Sequence, residues 1–478
     1  MELMKRFDVL VLGSGAGANV AANAYERGMN VAVVDNDRFG GTCLNRGCIP
    51  TKILTYVADL IVDIGKAEKV NLRARVEGVD FEGLMSRMRR ETWEESEKIE
   101  KNIAESKGYE FYKGTGQFVA DYTMDVNGER IRADHVVIAS GARPSIPPIN
   151  GIEHVHYLTN KTALELSEKP ESMIIIGGGY IAVEFGHFFS AIGTDVTILE
   201  QMPRLLTAED EDVSALLQRE LATRMRVFTN HEVVGASESN GMKTVVARDR
   251  QSGAERELTA EALLIAAGRV SNADLFKPEK TGVKTDPKGW IVVDEFLRTT
   301  KKNIWALGDA LGKHMFRHVA NEQSGIVWHN IAATIESKRG QEPELHKMDY
   351  HAIPRAVFSY PPIATVGMTL REAAESGREL LVGQTDYATT AKGAAMGYPP
   401  GFVRVICDGR EGTVLGATII GPDAPTLVQE ITNLMNAGDH GYAPIFKSIH
   451  IHPALPEVVQ DAFGNLAPLG HVHDHSLH

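Results

Sequence analysis

The sequence predicts an α/β fold: two copies of one strand–loop–helix–strand unit, followed by a separate α+β domain. Three observations predict it. A glycine-rich loop follows an apolar strand at the start of the chain, a second such loop with the same sequel lies in mid-chain, and alternating strands take over after about residue 350. The chain has 478 residues, room for two to four domains at about 100–200 residues each. With 43% hydrophobic and 24% charged residues it can bury sizeable cores and is not generally disordered. Lys+Arg total 50 against Asp+Glu 63, a net charge of −13, which argues against nucleic-acid and anionic-membrane partners. No apolar run approaches the ~18 residues of a membrane span, and MELMKRFDVLVLGSG enters structure without a cleavage site. The expectation is a soluble, cytoplasmic protein.

The first unit begins with the strand Val9-Leu10-Val11-Leu12 and turns through Gly13-Ser14-Gly15-Ala16-Gly17-Ala18. A helical stretch to Gly28 leads to a second strand, Val31–Val34, ending at Asp35. Glycines let the backbone approach a pyrophosphate at a helix N-terminus, and an acid after the second strand holds ribose hydroxyls. Alone, such a loop is equally an ordinary tight turn. The pattern recurs, however, as Met173–Ile176, Gly177-Gly178-Gly179-Tyr180-Ile181-Ala182, a helical run to Gly193, and Val196–Leu199 ending at Glu200. First glycine and acid are 22 residues apart in one copy and 23 in the other. A further pair of strands meeting small-residue turns, Val136–Arg143 with Gly141 and Leu263–Arg269 with Gly268, completes the repeat. Duplication in register predicts two Rossmann-like dinucleotide-binding domains.

Between the copies, residues 91–106 form a polar stretch with Trp93, Ile99 and Ile103 at helical spacing, expected to be a solvated helix packed by one stripe. Strands at Arg355–Phe358, Phe402–Ile406 and Val414–Ile420, with two helical runs, predict an antiparallel sheet in the last domain. The expected division is 1–150, 151–275, 276–348, 349–470 and a histidine-rich tail, 471–478.

Three cysteines, Cys43, Cys48 and Cys407, are too few for a disulfide-stapled secreted fold. Cys43 and Cys48 lie five positions apart in GGTCLNRGCIPTK, before a helix expected to begin near Lys52. Such a pair can close a small redox disulfide, and a nearby helix N-terminus stabilises a thiolate. A zinc site would need partners that the sequence lacks, so no metal is expected.

GGTCLNRGCIPTK resembles the active-site segment of the class I pyridine nucleotide-disulfide oxidoreductases, and the resemblance runs from about Phe7 to Gly464. It implies FAD in the first unit, with Gly13, Gly15, Ala18, Asp35, Gly41, Thr42, Lys52, Gly141 and Asp309 as its contacts. It implies NAD(H) in the second, with Gly177, Gly179, Tyr180, Ala182, Glu200 and Gly268. Residues 1–150 and 276–348 would then form the FAD-binding domain, 151–275 the NAD(H)-binding domain, and 349–470 a dimerisation domain. Cys43 matches the thiol that exchanges with substrate and Cys48 the thiol that faces the flavin. Lys52 and Glu184 match an ion pair beside the reactive flavin nitrogen. In Ile449-His450-Ile451-His452-Pro453-Ala454-Leu455-Pro456-Glu457, His452 matches an acid–base oriented by Glu457, while His450 inherits no role.

The implied activity moves two electrons between NAD(H), FAD, the Cys43–Cys48 disulfide and a small dithiol or disulfide, or a lipoyl domain. The implied assembly is a homodimer whose active site is shared across the interface. The cysteine segment looks most like the dihydrolipoamide dehydrogenase branch. Tyr180-Ile181-Ala182 and Pro456 depart from that branch, and His452–Glu457 with Gly268–Asp274 look more like mycothione reductase, the alternative. Mercuric reductase is disfavoured, because no cysteine follows Cys407. A flavin-binding subunit without turnover is the rival from another class, against which the intact Cys43, Cys48, His452 and Glu457 argue. His471, His473, His475 and His478 are expected to form a polar end without a site.

Overall fold

The computed structural model describes residues 4–338 and 341–470, so the four tail histidines lie outside the described residues. The first sheet runs in the order Tyr109–Lys113, Val31–Asp35, Lys5–Leu12, Glu129–Ile138, Thr123–Val126, Gly116–Ala120. The long strand Glu129–Ile138 is the branch point of this seven-stranded sheet. Its first half pairs antiparallel with Thr123–Val126, and its second half pairs parallel with both Lys5–Leu12 and Ile304–Ala306. The strand Lys5–Leu12 is buried on both faces: Val9 and Val11 face one core and Leu10 and Leu12 another. That two-sided burial is why it reads as a continuous apolar run rather than an alternation.

The second sheet repeats the first in parallel order Arg226–Phe228, Asp195–Leu199, Ser172–Ile176, Ala262–Ile265. A three-stranded meander, His231–Ser239, Met242–Asp249 and Glu255–Ala260, covers one face through Ile174 and Ile176. The chain leaves the first unit at Ala142–Pro144 and returns at Arg269–Ser271. These two crossings pair antiparallel, and Arg143 grips Asp274 with both terminal nitrogens, at 2.8 and 2.9 Å.

The helix Cys48–Lys66 starts four residues before its expected position near Lys52. Pro50 falls in its first turn, where a missing N–H breaks no intrahelical bond. Leu54 and Ala58 of this helix share a core with Ala182, Val183 and Phe185 of the helix Tyr180–Ala191. This packing joins the cysteine segment to the second unit. The helix Phe81–Glu105 contains the polar stretch as expected, with Ile103 buried and Ile99 against the same core.

The last domain holds a six-stranded antiparallel sheet that includes Pro354–Val357, Phe402–Asp408 and Val414–Ile420, as the alternation predicts. The helices Ala424–Asn436 and Pro456–Gly464 close its core. Among the described residues, no helix is long and apolar enough to cross a membrane.

Candidate active site

A cavity of about 990 Å³ runs from the first glycine loop to the last domain. This is the upper end of the ~300–1,000 Å³ usual for ligand sites. Its walls include Gly13, Gly15, Asp35, Gly41, Thr42, Cys43, Cys48, Lys52, Gly141, Tyr180, Glu184 and Asp309. Twelve of the residues singled out in the sequence are thus brought together across some 300 positions of chain. Ala18 is not on the wall; it is the second residue of the helix Gly17–Glu26.

The first loop is closed by its own sequence. Gly13 has φ +102°, and a Cβ there would run into the carbonyl oxygen of Ala139, so only glycine lets strand, loop and neighbouring strand meet. Ser14 fixes the acid: its backbone N–H and Oγ both donate to Asp35 Oδ2, at 2.8 and 2.6 Å. Ser14 was not singled out in the sequence, because a serine inside a glycine loop carries no signal of its own.

Cys43 lies in the short helix Gly41–Asn45 and Cys48 is the first residue of the next helix, with Gly47 at its cap. Both are free thiols and are hydrogen-bonded to each other. The hydrogen bond from Cys43 is the main reason the Cys48 thiol is held down at about 7. The charge of Lys52 and the Cys48 backbone N–H act in the same direction, against burial and Glu184. Cys43 is pushed up, because its proton serves its neighbour and burial disfavours a second charge.

Lys52, one helical turn on, donates to Glu184 Oε2 at 2.7 Å and lies 4.3 Å from the centre of the Phe358 ring. Glu184 Oε1 accepts from the Phe358 backbone N–H at 3.0 Å, so three segments meet at one ion pair. The two helices carrying the pair are pinned again further along. Buried His187 meets Asp59 at 2.8 Å through Nε2, and Arg224 donates to its Nδ1 at 3.0 Å. Burial keeps this imidazole below its usual titration range. Sequence gave no hint of His187, whose partners are distant in the chain. At the other wall, burial pushes the Asp309 carboxyl up, with the Arg269 guanidinium 3.9 Å away opposing it.

The second loop has the same backbone but another setting. Gly177 has φ +114°, and its Cβ would strike the carbonyl oxygen of Ala266, the counterpart of Ala139. Gly177, Gly179, Ala182, Glu200 and Gly268 do not line the large cavity; Tyr180 does, at the seam between the two units. Glu200 Oε1 accepts from Met202 N–H at 2.7 Å.

His452 and Glu457 lie in the last domain, away from the cavity wall. The imidazole is 71% exposed, and its Nδ1 is 2.8 Å from Glu457 Oε1. Glu457 Oε2 accepts from the Ala454 backbone N–H at 2.9 Å, and these contacts hold its carboxyl below the usual range. A carboxylate so fixed orients the ring with Nε2 outward. His450 bonds Glu430 at 3.0 Å instead and keeps its side chain only 6% exposed.

Known proteins resemble the chain over nearly its whole length. Residues 7–324 match the pyridine nucleotide-disulphide oxidoreductase family, and residues 353–463 match the dimerisation domain of the same family. The chain is 34% identical over 469 residues to mycothione reductase of Mycobacterium tuberculosis, covering 96% of this chain and 99% of that one. It is 33% identical over 476 residues to dihydrolipoyl dehydrogenase of Haloferax volcanii, covering 96% of each. Among solved structures it resembles the Cu(II) complex of the HOCl-induced flavoprotein disulfide reductase RclA from Escherichia coli. The TM-score there is 0.83 at 28% identity, over 96% of this chain and 99% of that one. The chain therefore belongs to the pyridine nucleotide-disulphide oxidoreductases, enzymes that depend on FAD and use NAD(P)H, and it carries their dimerisation domain.

Proposed function

We propose that the protein passes an electron pair between NAD(H) and a small disulfide or dithiol, by way of FAD and the Cys43–Cys48 couple. The observation that carries this is a pair of mutually hydrogen-bonded thiols on the wall of a cavity built for a dinucleotide, beside the Lys52–Glu184 pair. The residues fit FAD. A neutral glycine loop, open at Gly15 where a Cβ would have a single neighbour within 4 Å, suits a pyrophosphate, and Asp35 at the end of the second strand suits ribose hydroxyls. Asp309 and Arg269, both on the wall and with the Arg269 Nε free of hydrogen bonds, suit a polyhydroxyl chain. Bound there, FAD supplies the two-electron hydride chemistry. The second copy, with Glu200, would take the nicotinamide nucleotide.

The protein's own part is thiol chemistry. Cys43 retains its proton beside the Cys48 thiolate, so it needs a base before it can attack a substrate disulfide. In the reducing direction Cys43 bonds to one substrate sulfur and the other leaves as a thiol. Cys48 then attacks Cys43 and expels the second thiol. The base is His452 of the partner subunit, because within one chain His452 and Glu457 stand off the cavity. Mixed dimers test this arrangement. Refolding Cys43→Ser together with His452→Ala should make about half the dimers mixed and return roughly a quarter of wild-type sites. No recovery, with mixed dimers present and FAD-loaded, would place each site within one chain.

The cysteine segment favours dihydrolipoamide as the substrate, and the small number of cysteines favours the cytoplasm as the compartment. A second reading, reduction of another low-molecular-weight disulfide such as mycothione, is favoured by Tyr180 on the cavity wall and by Pro456. A panel of lipoamide, mycothiol, glutathione and coenzyme A disulfides, with NADH and NADPH, separates the two. Lipoamide should give the highest kcat/KM, and a higher value for mycothiol disulfide would select the second reading.

A further inference from the structure

Seven cationic side chains line the large cavity: Arg46, Lys52, Arg143, Lys161, Arg269, Arg317 and Arg355. Six of them are committed. Arg46 and Lys161 pair with Asp37, Lys52 with Glu184, and Arg143 with Asp274. Arg355 pairs with Glu209 at 2.9 Å, and Arg269 sits 3.9 Å from Asp309. Arg317 alone has neither a carboxylate nor a hydrogen-bond acceptor among the described residues. It opens the helix Arg317–Glu336, and its backbone is placed by Phe316 at the cap.

Its guanidinium is not turned out to solvent. A Cβ built on Gly15 would have one neighbour within 4 Å, Arg317 Nη1 at 3.8 Å. The charge therefore hangs over the first glycine loop, where the backbone lies open. Its field also reaches the thiol pair, where it favours ionisation of Cys43. The surroundings explain why a free cation belongs there. The loop itself is uncharged, and the carboxylate of Asp35 is tied to it through Ser14. A pyrophosphate dianion entering beside that carboxylate, with only the loop's backbone N–H groups to meet it, would be poorly compensated. A guanidinium offers two parallel donors to phosphate oxygens and stays charged at any working pH.

We propose that Arg317 is the counter-charge for the pyrophosphate of the bound dinucleotide, gripping it from across the cavity against the Gly13–Gly17 loop. This rests on the reading that the first copy holds FAD. It also separates the two copies, because among the described residues no cationic side chain comes within 4 Å of a Cβ on Gly179, the counterpart of Gly15.

The test measures FAD and ADP binding to the FAD-stripped protein by fluorescence and calorimetry, between low and high KCl, without using turnover. Loss of a charged hydrogen-bond partner should weaken FAD binding of Arg317→Gln about 10–100-fold and ADP binding by a similar factor. Adenosine, which has no phosphate, should bind wild type and variant equally. The salt dependence of FAD binding should fall in Arg317→Gln and persist in Arg317→Lys, which keeps the charge. Equal melting temperatures of the stripped proteins would show that the fold is unaffected. Should Arg317→Gln not fold, wild-type ADP affinity that is salt-independent and no better than adenosine's would overturn the proposal. So would an Arg317→Gln protein that binds FAD with wild-type affinity and wild-type salt dependence. A wild-type protein that takes up no FAD at all would instead overturn the underlying reading.

Discussion

The two glycine loops are near copies in backbone and opposites in setting. Gly13 and Gly177 share a positive φ and close against Ala139 and Ala266, the matching residues of the matching strands. Yet the first loop opens into the large cavity, walled further by residues from the return segment and the last domain, while the second stands outside it. The acids differ in the same way. Asp35 is tied to Ser14 inside its loop, whereas Glu200 is tied to Met202 just beyond its strand. A local motif therefore specifies what kind of ligand phosphate can approach, and the elements laid over it decide whether that ligand stays. On the proposed assignment the first copy keeps its dinucleotide through turnover and the second exchanges it.

The largest expected effect lies in the segment that only the first copy carries. Cys43→Ser and Cys48→Ser should each lower disulfide turnover by at least ~10³-fold, since each removes a sulfur that forms and breaks a bond. The two should differ in colour: the long-wavelength absorbance of the reduced enzyme should vanish in Cys48→Ser and survive in Cys43→Ser. The reverse pattern would exchange the two roles.

Next in size is a direct comparison of the loops. Alanine at either Gly13 or Gly177 meets both a positive φ and a carbonyl oxygen, at a cost of roughly 1–3 kcal/mol in strain. Gly13→Ala should be isolated with little FAD and a lowered melting temperature. Gly177→Ala should keep one FAD per chain and show a raised KM for NADH. Loss of FAD from both would mean that the second loop supports the first cavity rather than a separate nucleotide.

What could be read from the sequence is what the chain makes locally. The two loops, their strands and acids, and the cysteine pair were legible because each is a short run with one physical purpose. The last sheet was legible because its strands alternate. The cysteine helix starts four residues before the position expected from the sequence, with Pro50 accommodated in its first turn, where no N–H is needed. Contacts that depend on distant segments left no local trace. Examples are His187 between Asp59 and Arg224, Arg355 against Glu209, and Arg317 over Gly15. Each is an ordinary surface-type residue until the fold delivers its neighbour.

The thiol pair allows a finer test of how the first site is tuned. Cys48 is depressed from its ordinary 9.0 to about 7, so its thiolate is present above about pH 7 and is lost as pH falls through that value. In the reduced, FAD-stripped protein the ultraviolet thiolate absorbance should rise in a first step near pH 7. Cys43→Ala should move that step upward most, because the Cys43 hydrogen bond is the largest contribution. Lys52→Met should move it upward less. A first step near 9 in the wild type, or a larger shift from Lys52→Met, would mean that charge rather than the partner thiol sets the thiolate.

The smallest effect separates two nucleotides that differ by one phosphate, and it is decided at the second copy. Glu200 is 9% exposed, and its Oε2 lies where a Cβ on Gly178 would stand 2.7 Å away, so the carboxylate faces its own glycine loop. An NADP-type site would need a cation there, and the available ones are occupied. Arg204 is drawn off to Glu211 at 3.1 Å and to the Thr207 carbonyl at 3.3 Å, and Arg250 bonds the Gln201 carbonyl at 3.1 Å. A ribose 2′-hydroxyl can donate to the carboxylate, whereas a 2′-phosphate would meet like charge with no counter-ion. NADH should therefore exceed NADPH in kcat/KM by at least about tenfold, the equivalent of ~1.4 kcal/mol. Glu200→Gln keeps the shape and removes the charge. It should lower kcat/KM for NADH, raise it for NADPH, and leave bound FAD at one per chain. A change in FAD content would mean that the carboxylate braces the large cavity. A wild-type preference for NADPH would mean that Arg204 or Arg250 swings back when nucleotide binds, and that the second copy reads its ligand with a cation as the first is proposed to do.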